Sequence, residues 1–180
     1  MGMFGYRVMG AALLDRSIYE GIEADSRASG QALLVVLLSS LAAGIGTSGW
    51  HGPTLGGIVT ITALALVTWV AWATLMLQIG GRLLRTSDTR TSQAELMRTI
   101  GFAASPGLLQ AFAAFPRVTV LVFAVSWLWM FVATVVAVRQ ALDFTSTART
   151  LAVCAVAAGL ALAGAFLISA LLGPALAPAG

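Results

Sequence analysis

The fold class this sequence predicts is all-α: a polytopic integral membrane helical bundle with about five transmembrane helices. Three observations predict it. Of 180 residues, 59% are hydrophobic and 9% charged, with a mean hydropathy of +0.94, whereas a water-soluble domain carries about 25% charged residues. Stretches near residues 31–48, 57–79, 118–138 and 150–172 contain no Asp, Glu, Arg or Lys, and each approaches the roughly 20 apolar residues that a spanning helix needs. With a cytoplasmic N-terminus and five crossings, Arg117 alone among the arginines falls outside, as the positive-inside rule prefers.

Residues 1–29 read as a cytoplasmic amphipathic segment. Asp15, Glu20, Glu23 and Asp25 leave no clean apolar core there, so the segment does not read as a cleavable signal. Ser17 and Glu20 have capping-box spacing and predict a short helix with Ile18 and Ile22 toward the membrane surface and Glu20 and Glu23 toward water. Asp25 or Ser26 is placed to cap the first span.

Residues 30–173 form the transmembrane bundle. The outer connection 49–56 carries Trp50 and His51 and no formal charge. After the second span, the inner connection holds Arg82, Arg85, Asp88, Arg90, Glu95 and Arg98. A helix is expected to begin at Thr91 or Ser92, with Glu95 in its first turn as part of a capping box. This third span, near 93–114, is short in its uncharged part and interrupted by Ser105, Pro106 and Gly107. Proline removes a backbone donor and clashes with the preceding turn, so a kink is predicted; a re-entrant segment is the alternative to a crossing. The tail, residues 174–180, is expected to be loose on the outer side, because Pro174 and Pro178 oppose helix continuation.

Basic residues outnumber acidic ones ten to seven and all are Arg. They form no run or face, which excludes a nucleic-acid surface, and the absence of Lys hints at a GC-rich bacterial genome and an inner membrane. The single cysteine, Cys154, lies in an apolar run and reads as a packing residue. No intramembrane carboxylate, metal-ligand motif or phosphate loop is present, so no enzyme, catalytic residue or metal is predicted.

Other residues invite weaker readings. His51, the lone histidine, is either a polar cap or an axial ligand completed by a partner. Trp69, Trp72, Trp127 and Trp129 sit near mid-span, although membrane tryptophans favour interfaces. They either fill space, with indole N–H groups on carbonyls, or line a pocket for a lipid tail, quinone or pigment; no cofactor is otherwise expected. Ala42 and Gly46, then Ala157, Ala161, Ala165 and Ser169, repeat at four-residue spacing, a pattern that lets helices approach closely. In the turn after the fourth span, Arg139 and Asp143 are spaced to pair, Thr145 or Ser146 to cap the last helix, and Arg149 to reach lipid phosphate or a partner carboxylate.

The stretches "ALLDRSIYEGIEADSRASGQALLVV" (12–36), "LMRTIGFAASPGLL" (96–109) and "VAVRQALDFTSTARTLAV" (136–153) resemble the bacterial branch of the Yip family, the Ypt-interacting membrane proteins. The resemblance implies a cytoplasmic N-terminus, about five membrane helices and no enzymatic chemistry. Eukaryotic members are associated with prenylated Rab-type GTPases and vesicle traffic and tend to carry an Asp-Leu-Tyr-Gly-Pro motif. Here Asp15-Arg16-Ser17-Ile18-Tyr19 stands in its place, which weighs against GTPase binding. The leading expectation is a non-enzymatic membrane scaffold or accessory subunit, partnered by lipids and by other transmembrane subunits or itself. The alternatives are a transporter or lipid-moving protein using the broken third helix, and a membrane-shaping or trafficking protein with residues 17–23 and 92–98 lying in the inner leaflet.

Overall fold

The computed structural model describes residues 2–80, 92–142, 144 and 146–176, with the side chains of 51, 93, 162 and 164–176 outside that description. All regular elements among the described residues are helical: α1 (Met3–Ala12), α2 (Arg16–Ala24), α3 (Ala28–Gly46), α4 (Ser48–His51), α5 (Leu55–Gln78), α6 (Gln93–Ala103), a 3₁₀ helix (Ser105–Ala114), α7 (Thr119–Ala141) and α8 (Thr147–Leu176). Among the described residues, three segments, Ala28–Trp50, Leu55–Gln78 and Thr119–Ala141, are long and apolar enough to cross a membrane.

Burial ranks them. The apolar window of α3 is 44% buried, while that of α5 is 6% buried. Accordingly α3 packs on the 3₁₀ helix, α5 and α6, and α7 closes the other side against α6 and the 3₁₀ helix. One core joins Tyr19 and Ile22 to Val35, Val36, Phe102 and Ala133. A second joins Met76 and Ile79 to Leu96, Ile100, Val138, Leu142 and Val153. Trp69 packs against both.

Local chemistry sets the helix ends. Ser92 and Glu95 complete the expected capping box: Ser92 Oγ accepts from Glu95 N at 3.3 Å and Glu95 Oε2 from Ser92 N at 2.7 Å. Thr54 accepts from Gly57 N to start α5. Between α1 and α2 the chain makes a Schellman turn, with Leu14 N donating to Ala11 O and Asp15 N to Gly10 O. Leu14 occupies the left-handed position, φ 63, where glycine is usual; its side chain packs on the first core, which offsets the backbone strain of about 1–2 kcal/mol.

Pro106 divides the third hydrophobic segment. An α-helical Pro106 would clash with the carbonyl of Phe102, and the chain instead tightens: Ala104 N bonds Gly101 O and Gly107 N bonds Ala104 O. A ten-residue 3₁₀ helix follows, far beyond the three or four residues at which such helices usually stop.

Several expectations are corrected. Ile18 and Ile22 do not face the membrane surface; they are buried in the first core, because the α1–α2 hairpin folds back onto α6 and α7. Asp15, not Ser17, caps α2, with its Oδ1 accepting from Ser17 N at 2.9 Å. Arg27 occupies the cap position of α3, and Asp25 accepts the Arg27 N–H one step earlier. Finally, α8 continues past residue 172 through Pro174 to Leu176. The expectations at Arg82, Arg85, Asp88, Arg90, Asp143, Thr145 and Pro178 lie outside the described residues.

Candidate functional site

The break in the third segment is the polar centre of the bundle. Ser105, Pro106 and Gly107 are all buried, and the carbonyl of Ala104 is met by Ser39 Oγ from α3 at 2.7 Å. This carbonyl, which also accepts from Gly107 N at 2.9 Å, thus takes its second donor from a neighbouring helix rather than from Ser105, and the break is satisfied within the protein as a non-aqueous interior requires. Among the described residues Ser105 Oγ itself has no partner, and neither has Ser126 Oγ on α7. Gln110, 4% exposed, reaches the Met130 sulfur, at 3.7 Å. Gly107 lets Met130 and Ser39 close over the break: a Cβ there would lie 3.0 Å from Met130 Sδ and 3.2 Å from Ser39 Cβ.

Small residues bring the backbones together. Ala42 and Ala157 are buried and Ala161 is half-buried, whereas the side chains of Ala165 and Ser169 lie outside the described set. Gly46 faces the Gln110 carbonyl, with Phe123 Cζ and Ala113 Cβ at 3.0 and 3.1 Å from a hypothetical Cβ. Two further glycines, absent from the expected pattern, do the same. Gly44 lies against Thr62 and the Ile58 carbonyl of α5, and Gly49 against the Ala113 carbonyl and Thr119. The sequence "GIGTSG" (44–49) was the available signal, but its spacing of two and three residues is not the four-residue repeat of a single interface.

The four mid-span tryptophans divide. Trp69 and Trp72 pack on the cores, the Trp69 Nε1 lacking a partner among the described residues. Trp127 is 66% exposed and faces outward. Trp129 Nε1 donates to the carbonyl of Ala12 at 2.7 Å, tying α7 to the end of α1. Trp127 therefore cannot wall an internal pocket. An open cleft of about 430 Å³ lies instead between the end of α3 and the start of α5, lined by Thr47, Trp50, Thr54, Ile58 and Thr60, with Trp50 stacked on Phe123 at 4.9 Å between centroids. His51 ends α4 beside it; its side chain lies outside the described set.

Charged groups gather at the opposite end. Arg7 pairs with Asp25 at 2.6 Å and donates to Gln31 Oε1 at 3.0 Å. The Arg7 guanidinium, followed by the Arg27 N–H, holds the Asp25 carboxyl below the usual carboxylate range. Buried Arg98 donates to the Glu23 carbonyl at 2.5 Å, where the negative end of α2 favours a cation. Arg139 holds the turn after α7 by donating to Phe144 O at 3.2 Å and Thr147 Oγ1 at 2.9 Å. Arg149 lies over the Phe144 ring at 5.9 Å; its exposed side chain thus has an aromatic neighbour. Among the described residues no cluster of His, Cys, Asp or Glu could hold a metal.

An apolar helical assembly with its charges toward its ends, most of them at one, and uncharged polar groups at its centre is an integral membrane protein. The Yip1 domain family matches residues 15–169, and the chain belongs to that family. No curated protein and no solved structure matches the chain.

Proposed function

We propose that this protein is a non-enzymatic membrane scaffold or accessory subunit, acting through helix packing and lipid contact within a homo-oligomer or a larger membrane complex. The observation that carries the reading is α5. It is 6% buried over its apolar window and projects Val59, Leu64 and Val67 away from the protein, on a bundle held by backbone contacts at Gly44, Gly46 and Gly49. Such a helix has lipid or a neighbouring transmembrane helix as its environment.

Five crossings with a cytoplasmic N-terminus belong to this reading. The 3₁₀ helix supports the third crossing, because it rises about 2.0 Å per residue against 1.5 Å for an α-helix. The uncharged run 99–114, about 24 Å long if wholly α-helical, becomes roughly 30 Å, the thickness of a bilayer's hydrocarbon. The residues of α6 that carry Glu95 and Arg98 then need not enter the membrane interior. Native-mass analysis after gentle extraction tests the proposal: a homo-oligomer or a co-purifying membrane protein is expected, and a lone monomer across mild detergents refutes it.

A second reading, a transporter or lipid-moving protein, is favoured by the unpartnered hydroxyls of Ser105 and Ser126 beside the broken helix. It requires aqueous access to the break. Cysteines at Ser105 and Gln110 that resist water-soluble reagents from both sides would eliminate it.

A further inference from the structure

We propose that the α1–α2 hairpin is inserted into one leaflet of the membrane, on the arginine-rich side, with the face of α1 formed by Met3, Tyr6, Met9 and Leu13 against lipid acyl chains. The inference rests on the reading that α7 crosses the bilayer.

Depth is the first argument. Gln140 Nε2 donates to Glu20 Oε1 at 3.4 Å, so the middle of α2 lies at the charged rim of α7. Trp129, which holds the Ala12 carbonyl, lies ten residues before Arg139, roughly 15 Å along the helix at 1.5 Å per residue. That is about the thickness of one leaflet's hydrocarbon. An indole reaching one full turn back toward the rim still leaves Ala12 about 10 Å inside it.

Desolvation is the second argument. The last four carbonyls of a helix lack intrahelical partners, and in lipid each must be satisfied within the protein. At the end of α1 all four are: Met9 O by Leu13 N, Gly10 O by Asp15 N, Ala11 O by Leu14 N, and Ala12 O by Trp129 Nε1. Tyr19 Oη adds a second donor to Ala11 O at 3.2 Å. A helix end in water has no need of an indole from another helix to complete this set.

The outward face is the third. Met3, Tyr6, Met9 and Leu13 are 64, 59, 51 and 69% exposed, and their spacing of three, three and four residues forms one helical stripe. Arg7, the only charged residue of α1, is turned inward onto Asp25 and Gln31. The contact with Trp129 brings the end of this stripe beside α7, which itself exposes Leu128. Exposed Asp15 and Arg16 keep the turn short of the midplane, Arg16 having the reach to extend toward phosphates. The hairpin thereby adds the cross-section of two helices to a single leaflet and makes the protein wedge-shaped.

The test is the accessibility of nitroxide labels in liposomes, on a Cys154→Ala background, with labels at Met9→Cys and Leu13→Cys. Leu128→Cys on α7 and Ser146→Cys at the charged end serve as references. The expected result is a label at Leu13 that collides with oxygen as at Leu128 and is lost to an aqueous nickel chelate, with Met9 intermediate or equal. Chelate access at Met9 and Leu13 equal to that at Ser146, with Leu128 shielded, overturns the proposal while leaving the membrane-crossing of α7 intact. Low access to both reagents would assign the stripe to a protein partner and overturn lipid as its occupant. Aqueous access at Leu128 itself would overturn the crossing of α7 and the proposal together.

Discussion

Replacing Gly46 by alanine tests the packing argument within a single helix. A Cβ at Gly46 would collide with the backbone carbonyl of Gln110 and press on Phe123 Cζ at 3.0 Å and Ala113 Cβ at 3.1 Å. A backbone carbonyl cannot rotate away as a flexible side chain can, so α3 and the 3₁₀ helix must separate. Overpacking of this kind costs about 1–3 kcal/mol, and the expected loss lies near 3 kcal/mol because two walls and a carbonyl oppose the methyl at once. Gly30, in the first turn of the same helix, has nothing within 4 Å of its hypothetical Cβ, so Gly30→Ala should be neutral or stabilising by roughly 0.4–1 kcal/mol through the unfolded chain. Reversible unfolding of both variants in mixed detergent micelles measures the difference. A Gly46→Ala protein as stable as Gly30→Ala would refute the close approach of α3 to the 3₁₀ helix.

Three further outcomes are expected. Ser39→Ala should cost about 0.5–1.5 kcal/mol by removing one of the two donors to the buried Ala104 carbonyl, which keeps Gly107 N, read as a lower unfolding midpoint, whereas an unchanged midpoint would mean the second donor adds nothing. The depressed Asp25 carboxyl should stabilise the fold at pH values above the carboxylate's unfolded pKa, about 3.9, and that contribution should disappear as pH falls through the lower folded value. Arg7→Gln should flatten this acid limb in thermal scans. Trp129→Phe should cost about 1–3 kcal/mol by freeing the Ala12 carbonyl, with faster hydrogen exchange confined to the α1–α2 turn; uniform loss of protection across α7 would instead mark Trp129 as a packing residue.

Particular residues separate what could be read early from what could not. The Ser92–Glu95 cap follows from local spacing, and the interruption at Pro106 follows from proline geometry. That Ser39 supplies a second donor to the Ala104 carbonyl does not, since 65 residues separate it from Ala104. Ile18 and Ile22 present the same amphipathic pattern whether lipid or protein covers them, and folding of the hairpin onto α6 and α7 chose protein. Helix α1 escaped notice because both its faces are apolar: Phe4, Val8 and Ala11 turn inward and Met3, Tyr6 and Met9 outward, leaving little alternation to detect.

The amino-acid sequence by itself determined an all-helical integral membrane protein of the Yip family, because apolar run length, scarcity of charge and family pattern are properties of the chain read in order. Tertiary structure alone decided which small residues touch, how the broken helix is satisfied and where α1 lies. Those depend on groups far apart in the chain meeting within a few ångströms, and a membrane solvates an apolar face as readily as a neighbouring helix does, so hydropathy cannot distinguish the two.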